Sequence, residues 1–248
     1  MFGSKLGEEG FIWFIGFVED IDDPLKLGRV RIRILHEHSD EVNTDDLPWA
    51  TPLSPVTSAN LVGVGTSPIG AVIGSMAFGF YLDGKRKQKP VFLGTIPFIG
   101  EGKESNHSVS QYARGQKVQR EQFDFEPESQ AKPEYPFNKV MTTARGHIIE
   151  VDDTPGAERV HLYHRSGSYI EMNPDGSVVV RSVGESFEIA VKDKRIASVE
   201  GDILISTASG EVTVTSAQSI NLNASGSINI SSASGVVNIE APIIGLNA

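Results

Sequence analysis

From Asp202 onward the chain repeats one short phrase, DILISTAS-GEVTVTSA-QSINLNAS-GSINISSAS-GVVNIEA-PIIGLNA, at a step of eight or nine residues. Each unit carries two apolar residues with one residue between them, followed by a small polar corner. The pairs are Ile203/Ile205, Val212/Val214, Ile220/Leu222, Ile228/Ile230 and Val237/Ile239, with Ile244/Leu246 as a looser last copy. Alternation of period two implies a strand, and a fixed short step implies strands stacked as the rungs of a β-helix or solenoid. So thin a ladder points only about two apolar side chains inward per rung and leaves both strand edges open. Three chains wound about one axis would pair every edge and share a single apolar interior. The alternative is a wide single-chain solenoid, which normally needs coils of about 20 residues or more. The expectation is therefore a homotrimer with Ile203, Ile205, Val212, Val214, Ile220, Leu222, Ile228, Ile230, Val237 and Ile239 as its core.

Bulk properties narrow the function. A net charge of −10 argues against a general nucleic-acid binder. Without cysteine, neither disulfides nor a thiol nucleophile is available. The opening MFGSKLGEEGFIWFIGF places two acids before its apolar run and does not read as a signal peptide. Between Asp46 and Asp83 no side chain is charged, and Leu61–Phe80 is long enough to span a bilayer. Five glycines and Pro68 in that stretch suit barrel strands and subunit-facing loops better.

The rest of the chain reads as all-β. FIWFIGFVEDI is a strand run ending in an acidic turn. In RVRIRIL, Val30, Ile32 and Ile34 alternate with Arg29, Arg31 and Arg33, which is a half-buried strand. SMAFGFYL and PVFLGTI flank the charged hairpin loop DGKRKQK. About five strands in residues 1–100, with glycines where strands must bend, suggest a Greek-key barrel of the OB type. Residues 101–138 are polar and rich in proline towards their end, and read as an extended linker. Residues 139–200 return to strands: GHIIEVDD, RVHLYH, YIEMN and SVVVRSV, with FEIAV and RIASV continuing the pattern into the needle at 201–248.

No constellation of catalytic or metal-binding residues stands out, and no cofactor is expected. His147, His161 and His164 with Asp152 and Asp153 come nearest, but His161 and His164 are three apart on a strand and face opposite sides. Asp152-Asp153-Thr154-Pro155-Gly156 reads as a turn whose carboxylates accept backbone N–H groups, and Glu158 with Arg159 suits pairing between chains. His36 and His38 fall in the acidic HEHSDEVNTDD and suit a solvated loop. The basic Lys85, Arg86, Lys87 and Lys89 lack interleaved aromatics, so a hairpin tip fits them better than a nucleic-acid site. Trp13 and Trp49 suit core or interface anchors.

The stretches WFIGFVEDIDDPLKLGRVRIRI, LPWATPLSPVTSA and FGFYLDGKRKQKPVFLGTI resemble the N-terminal OB domain of the central spike of contractile phage baseplates of the T-even type. TTARGHIIEVDDTPGAERVHLYHRSGSYIEMNPDGSVVVRSV resembles the start of that spike's trimeric β-helix. The valine-glycine-repeat spikes of type VI secretion are similar in plan. The resemblance implies a structural homotrimer in the virion tail baseplate, assembled in the host cytoplasm, which docks under the hub and tail-tube proteins through its OB domain and pierces the host envelope. It also implies that Ile243, Ile244 and Leu246 meet a tip protein of the PAAR-repeat type. The chain departs from the T-even plan in the interval where a lysozyme domain sits. Residues 101–137 are far too few to build a catalytic core and cleft. Glu104, Glu121, Glu126 and Glu128 lie in polar sequence with no pocket to hold a general acid. A non-enzymatic spike is therefore expected. An iron-binding His-x-His near the tip, known in spikes of related plan, is not carried over, because no histidine follows His164. A type VI secretion spike, a β-helix polysaccharide-degrading enzyme and an OB nucleic-acid module are the rival readings. Residues 203–248 offer two acids and no bases for an enzyme's groove.

Overall fold

The computed structural model describes residues 10–61, 70–98, 127–242 and 244. The glutamates at 104, 121 and 126, residues 62–69 of the uncharged stretch, and Ile243 and Leu246 fall outside these residues. The chain divides into two units, Met1–Phe187 and Glu188–Ala248. Among the described residues no helix is long and apolar enough to cross a membrane.

Five strands close a barrel in the order β1-β2-β3-β5-β4. They are β1 (Ile12–Asp20), β2 (Val30–Ile34), β3 (Trp49–Pro52), β4 (Met76–Tyr81) and β5 (Pro90–Thr95). All neighbours are antiparallel except β3 and β5, as in an OB barrel. Period-two alternation fills the interior: Phe14 and Val18 from β1, Val30, Ile32 and Ile34 from β2, Ala50 from β3, Ala77 and Tyr81 from β4, and Phe92 from β5. The sequence reading missed β3, because WATP is short and ends in proline, a residue that cannot donate to a ladder.

Glycines allow the barrel to close. A Cβ on Gly79 would sit inside the Val91 carbonyl oxygen and 2.5 Å from the Phe14 ring; one on Gly16 would strike the Arg33 carbonyl and stand 2.7 Å from Ile32 Cγ2. The β1–β2 loop is fixed by Asp23, whose carboxylate accepts the N–H groups of Leu25, Leu27 and Arg29 and is bridged by the Arg29 guanidinium at 2.6 Å. That guanidinium, against the opposing effect of burial and with help from the three N–H groups, holds the Asp23 carboxyl well below the usual carboxylate range.

The second part of the first unit is a five-stranded antiparallel meander in the order β10-β9-β8-β7-β6. Its strands are β6 (Asn138–Thr142), β7 (Ile148–Asp152), β8 (Arg159–Tyr163), β9 (Tyr169–Met172) and β10 (Val178–Arg181). Each hairpin turn places one glycine at positive φ: Gly146, Gly156, Gly167 and Gly176, where side chains with a Cβ are strained. Residues 127–137 strap one face of this sheet. Ser129 donates to Glu171, Gln130 to Asp175, and the Glu134 N–H to Thr154 Oγ1.

After Arg181 no strand is present among the described residues, and every one of Ser182–Pro242 is exposed. FEIAV and RIASV are therefore not strands within this chain, contrary to the sequence reading. The rhythm is nonetheless regular. Bends fall at 183–184, 191–192, 199–201, 208–210, 217–218, 225–226 and 233–235, with extended backbone between them. The small polar corners carry local hydrogen bonds: Ser198 Oγ donates to the Glu200 carbonyl, and the Gly235 N–H donates to Ser232 Oγ. The eight-to-nine-residue step thus begins about 20 residues earlier than the apolar pairs disclosed.

Candidate functional site

The meander buries the face that sequence convention would turn outward. Glu150, Asp152, Arg159 and Glu171 are almost fully buried on it, beside Ile148 and Tyr169. Arg159 bridges two carboxylates, Glu150 at 2.5 Å and Glu171 at 2.7 Å. Asn138 also donates to Glu150, and His161 Nδ1 stands 3.8 Å from it. Burial raises the Glu150 carboxyl, yet His161 and the Arg159 charge outweigh it and leave the group below its ordinary value. Arg159 is therefore spent inside its own chain, and the expected pairing of Glu158 with Arg159 between chains is not what the arginine does. Asp152 accepts the Thr154 N–H and hydroxyl, as the turn reading required.

The opposite face is apolar and bare. Register aligns Met141, Ile149, Leu162, Ile170 and Val180 in one row across all five strands. Val151, Val160, Met172 and Val178 form a second row beside it. Their exposures run from 39% at Ile170 to 72% at Val180. A contiguous apolar patch of this extent on a soluble protein marks a surface that something else covers. The sequence reading did not single these residues out. The signal was present as alternation in IIEVD, RVHLY and YIEM, but alternation by itself does not say which face is dry. All ten expected trimer-core residues are likewise exposed in the single chain, from 45% at Val237 to 75% at Ile205, and Ile244 is 53% exposed.

The barrel carries a third uncovered surface. Trp13, Ile15 and Phe17 of β1 and Phe78 and Phe80 of β4 point outward. Trp13 stacks on Phe78 with ring centres 5.4 Å apart and meets Phe80 edge-on. Trp13 is thus a surface residue, not a core one. Trp49 lies under the guanidinium groups of Arg29 and Arg31, at 5.3 and 4.6 Å.

The remaining candidates are accounted for locally. Arg31 is held by Asp45 and the Thr44 carbonyl, and Arg33 binds Glu19 with two bonds. Lys87 pairs with Glu37, which also accepts the Tyr81 hydroxyl. His36 and His38 lie in the turn after β2, where His38 Nδ1 accepts the Ile34 N–H. His147 and His164 have ring centres 4.5 Å apart at the rim of the apolar face. No group of three metal-ligating side chains is assembled among the described residues.

A closed OB barrel, an antiparallel meander with one bare apolar face and a periodic exposed tail together define a modular all-β protein. Residues 33–113 match the Gp5 N-terminal OB domain family. The chain is 30% identical to "Protein Gp5" of Vibrio phage KVP40 over an alignment 279 positions long, covering 84% of this chain and 66% of the relative. It is 43% identical over 91 residues to "Pre-baseplate central spike protein Gp5" of Enterobacteria phage T4, covering 34% of this chain and 16% of that protein. The chain thus spans just under two thirds of the first relative's length and far less of the second's. It is similar to the Gp5 proteins of phages, most specifically in the OB domain.

Proposed function

We propose that the chain is a structural, homotrimeric spike of the virion tail baseplate that transmits axial load through the host envelope. The observation that carries this reading is the uncovered apolar surface that each unit presents by itself. The two rows on the meander and the inward positions of the repeat are faces that a lone chain cannot bury and that three copies around one axis would close over one another. In this reading residues 1–100 form the collar, 101–138 the linker, 139–200 the neck and 201–248 the needle. Paired rungs about 4.8 Å apart make a stiff shaft.

The outward aromatics around Trp13 and Phe78 would meet the hub and tail-tube proteins. Ile243, Ile244 and Leu246 would meet a separate tip protein. Enzymatic digestion of the wall is left to another component, since residues 101–137 are too few for a lysozyme-like fold. A nucleic-acid role for the barrel is disfavoured by Arg29, Arg31, Arg33 and Trp49. They occupy the β2–β3 face that OB folds use for oligonucleotides, yet they bind one another and nearby carboxylates. Both relatives are phage proteins, which favours a phage baseplate over a secretion system.

Solution mass at low protein concentration tests the reading. Light scattering should give three times the chain mass of 26.8 kDa, with an elongated shape in sedimentation. A folded, compact single chain would overturn it.

A further inference from the structure

The turns of the meander carry opposite charges at its opposite ends. Antiparallel order sends the β6–β7 turn, the β8–β9 turn and the close of β10 to one end, and the β7–β8 and β9–β10 turns to the other. The turns at the first end, 143–147 and 164–168, read TARGH and HRSGS. They hold Arg145, His147, His164 and Arg165 and no acid. Arg181 closes β10 at this end, and Glu185 follows it. The turns at the far end, 153–158 and 173–177, hold Asp153, Glu158 and Asp175 and no base.

The two basic turns are built alike. In one, the Thr143 N–H donates to the His147 carbonyl and the Gly146 N–H donates to the Thr143 carbonyl. In the other, the His164 N–H donates to the Ser168 carbonyl and the Gly167 N–H to the His164 carbonyl. Arg145 and Arg165 therefore stand on equivalent tips, two strand spacings or about 10 Å apart. Both are exposed. The His147 and His164 rings continue the β7–β8 register between them, with centres 4.5 Å apart. At the far end Asp153 pairs with Lys139, and Asp175 accepts the Gln130 amide. Arg145 and Arg165 have no such partner among the described residues.

Exposed arginines without counter-ions on adjacent tips form an interaction surface, and the planar guanidinium is the side chain best matched to phosphate oxygens. Projecting tips cannot enclose a small anion, but they can rest on a broad anionic surface. A nucleic acid is disfavoured, because the tips hold no Trp, Tyr or Phe for stacking and the whole chain carries −10. Resting on the envelope-passage reading above, we propose that this end of the meander docks on the phosphate headgroups of an anionic bilayer. The acidic turns lie a strand's length away, about 17 Å, which exceeds the Debye length of about 8 Å at physiological salt, so they do not cancel the attraction.

Co-sedimentation of the full chain with phosphatidylcholine vesicles, with and without phosphatidylglycerol, tests the dock. Binding should need the anionic lipid and weaken as salt is raised. Arg145→Gln/Arg165→Gln should lower the affinity at least about tenfold, since each arginine near such a surface counts for several-fold. Its thermal midpoint should match the parent's, because both side chains are on exposed tips. Lys85→Gln/Lys89→Gln, in the basic loop of the barrel, should leave binding unchanged. Equal binding to neutral vesicles, an equal loss from both double variants, or no loss from Arg145→Gln/Arg165→Gln overturns the dock. Tighter binding of polyglutamate or single-stranded DNA than of the vesicles overturns it too. None of these results alters the solution mass, so the trimer is tested apart from the dock. A single-chain mass with charge-dependent vesicle binding kept would overturn the trimer and support the dock.

Discussion

Arg159 holds together the strapped face of the meander. It lies between Glu150 and Glu171, all three nearly without solvent. Arg159→Ala leaves two buried carboxylates without the guanidinium that bridges them and should cost about 3–5 kcal/mol, seen as a lower urea midpoint. The triple replacement Glu150→Leu/Arg159→Met/Glu171→Leu should recover most of that loss, since an apolar trio of similar volume needs no desolvated charge. Asp23 makes a prediction in pH. Its carboxyl is depressed in the folded state by the Arg29 bond, so its stabilisation is complete above the unfolded value of about 4 and is lost as pH falls towards the lower folded value. Thermal midpoints of the parent should drop through that acid window, and Asp23→Asn should be less stable at neutral pH and flatter across the window. A parent and variant with parallel profiles would refute the role given to Asp23.

At the scale of elements, the barrel and the meander respond to different tests. Gly79→Ala forces a methyl group into the Val91 carbonyl and the Phe14 ring, and should open the β4–β5 edge and lower the melting temperature by several degrees or more. Gly94→Ala, whose Cβ would meet nothing within 4 Å, is the control and should be tolerated. On the meander, Leu162→Glu adds charge to the middle of the bare apolar row. The sheet should still form, because the side chain is half exposed in the single chain, while on the proposed trimeric reading the solution mass should fall from three chains to one; an unchanged trimer mass would remove this face from the proposed assembly. Legibility differs between the two elements for a physical reason. In β2, alternation alone identified the inner face, because Arg29, Arg31 and Arg33 are on the outside of a closed barrel, as charges usually are. In β7 to β9 the same alternation left the dry face undecided, because the strap and the Arg159 cluster take the charged positions out of water. FEIAV and RIASV read as strands and form none in the single chain, since a rung exists only when an edge pairs with it.

For the whole molecule, charge is distributed along the chain in a way that bears on its work. Beyond Asp202 only Glu211 and Glu240 are charged, although the chain as a whole carries −10. Charge is expensive in a bilayer, so on the proposed piercing role Ser227→Lys with Ser231→Lys, which flank the Ile228/Ile230 pair, should slow envelope passage while leaving the solution mass unchanged. Unaltered injection by particles carrying these changes would remove the link between shaft charge and passage. The sequence by itself determined the periodic quantities: the eight-to-nine-residue step, the apolar pairs, the barrel's alternating strands and the glycines at the turns. These follow from local geometry, where side-chain direction repeats every second residue and a turn needs its special backbone. Tertiary structure alone decided which face of the meander is dry, that Arg159 serves its own chain, and that Trp13 lies on the surface and Trp49 beneath two arginines. Those outcomes depend on contacts between residues distant in the chain, and no period encodes them.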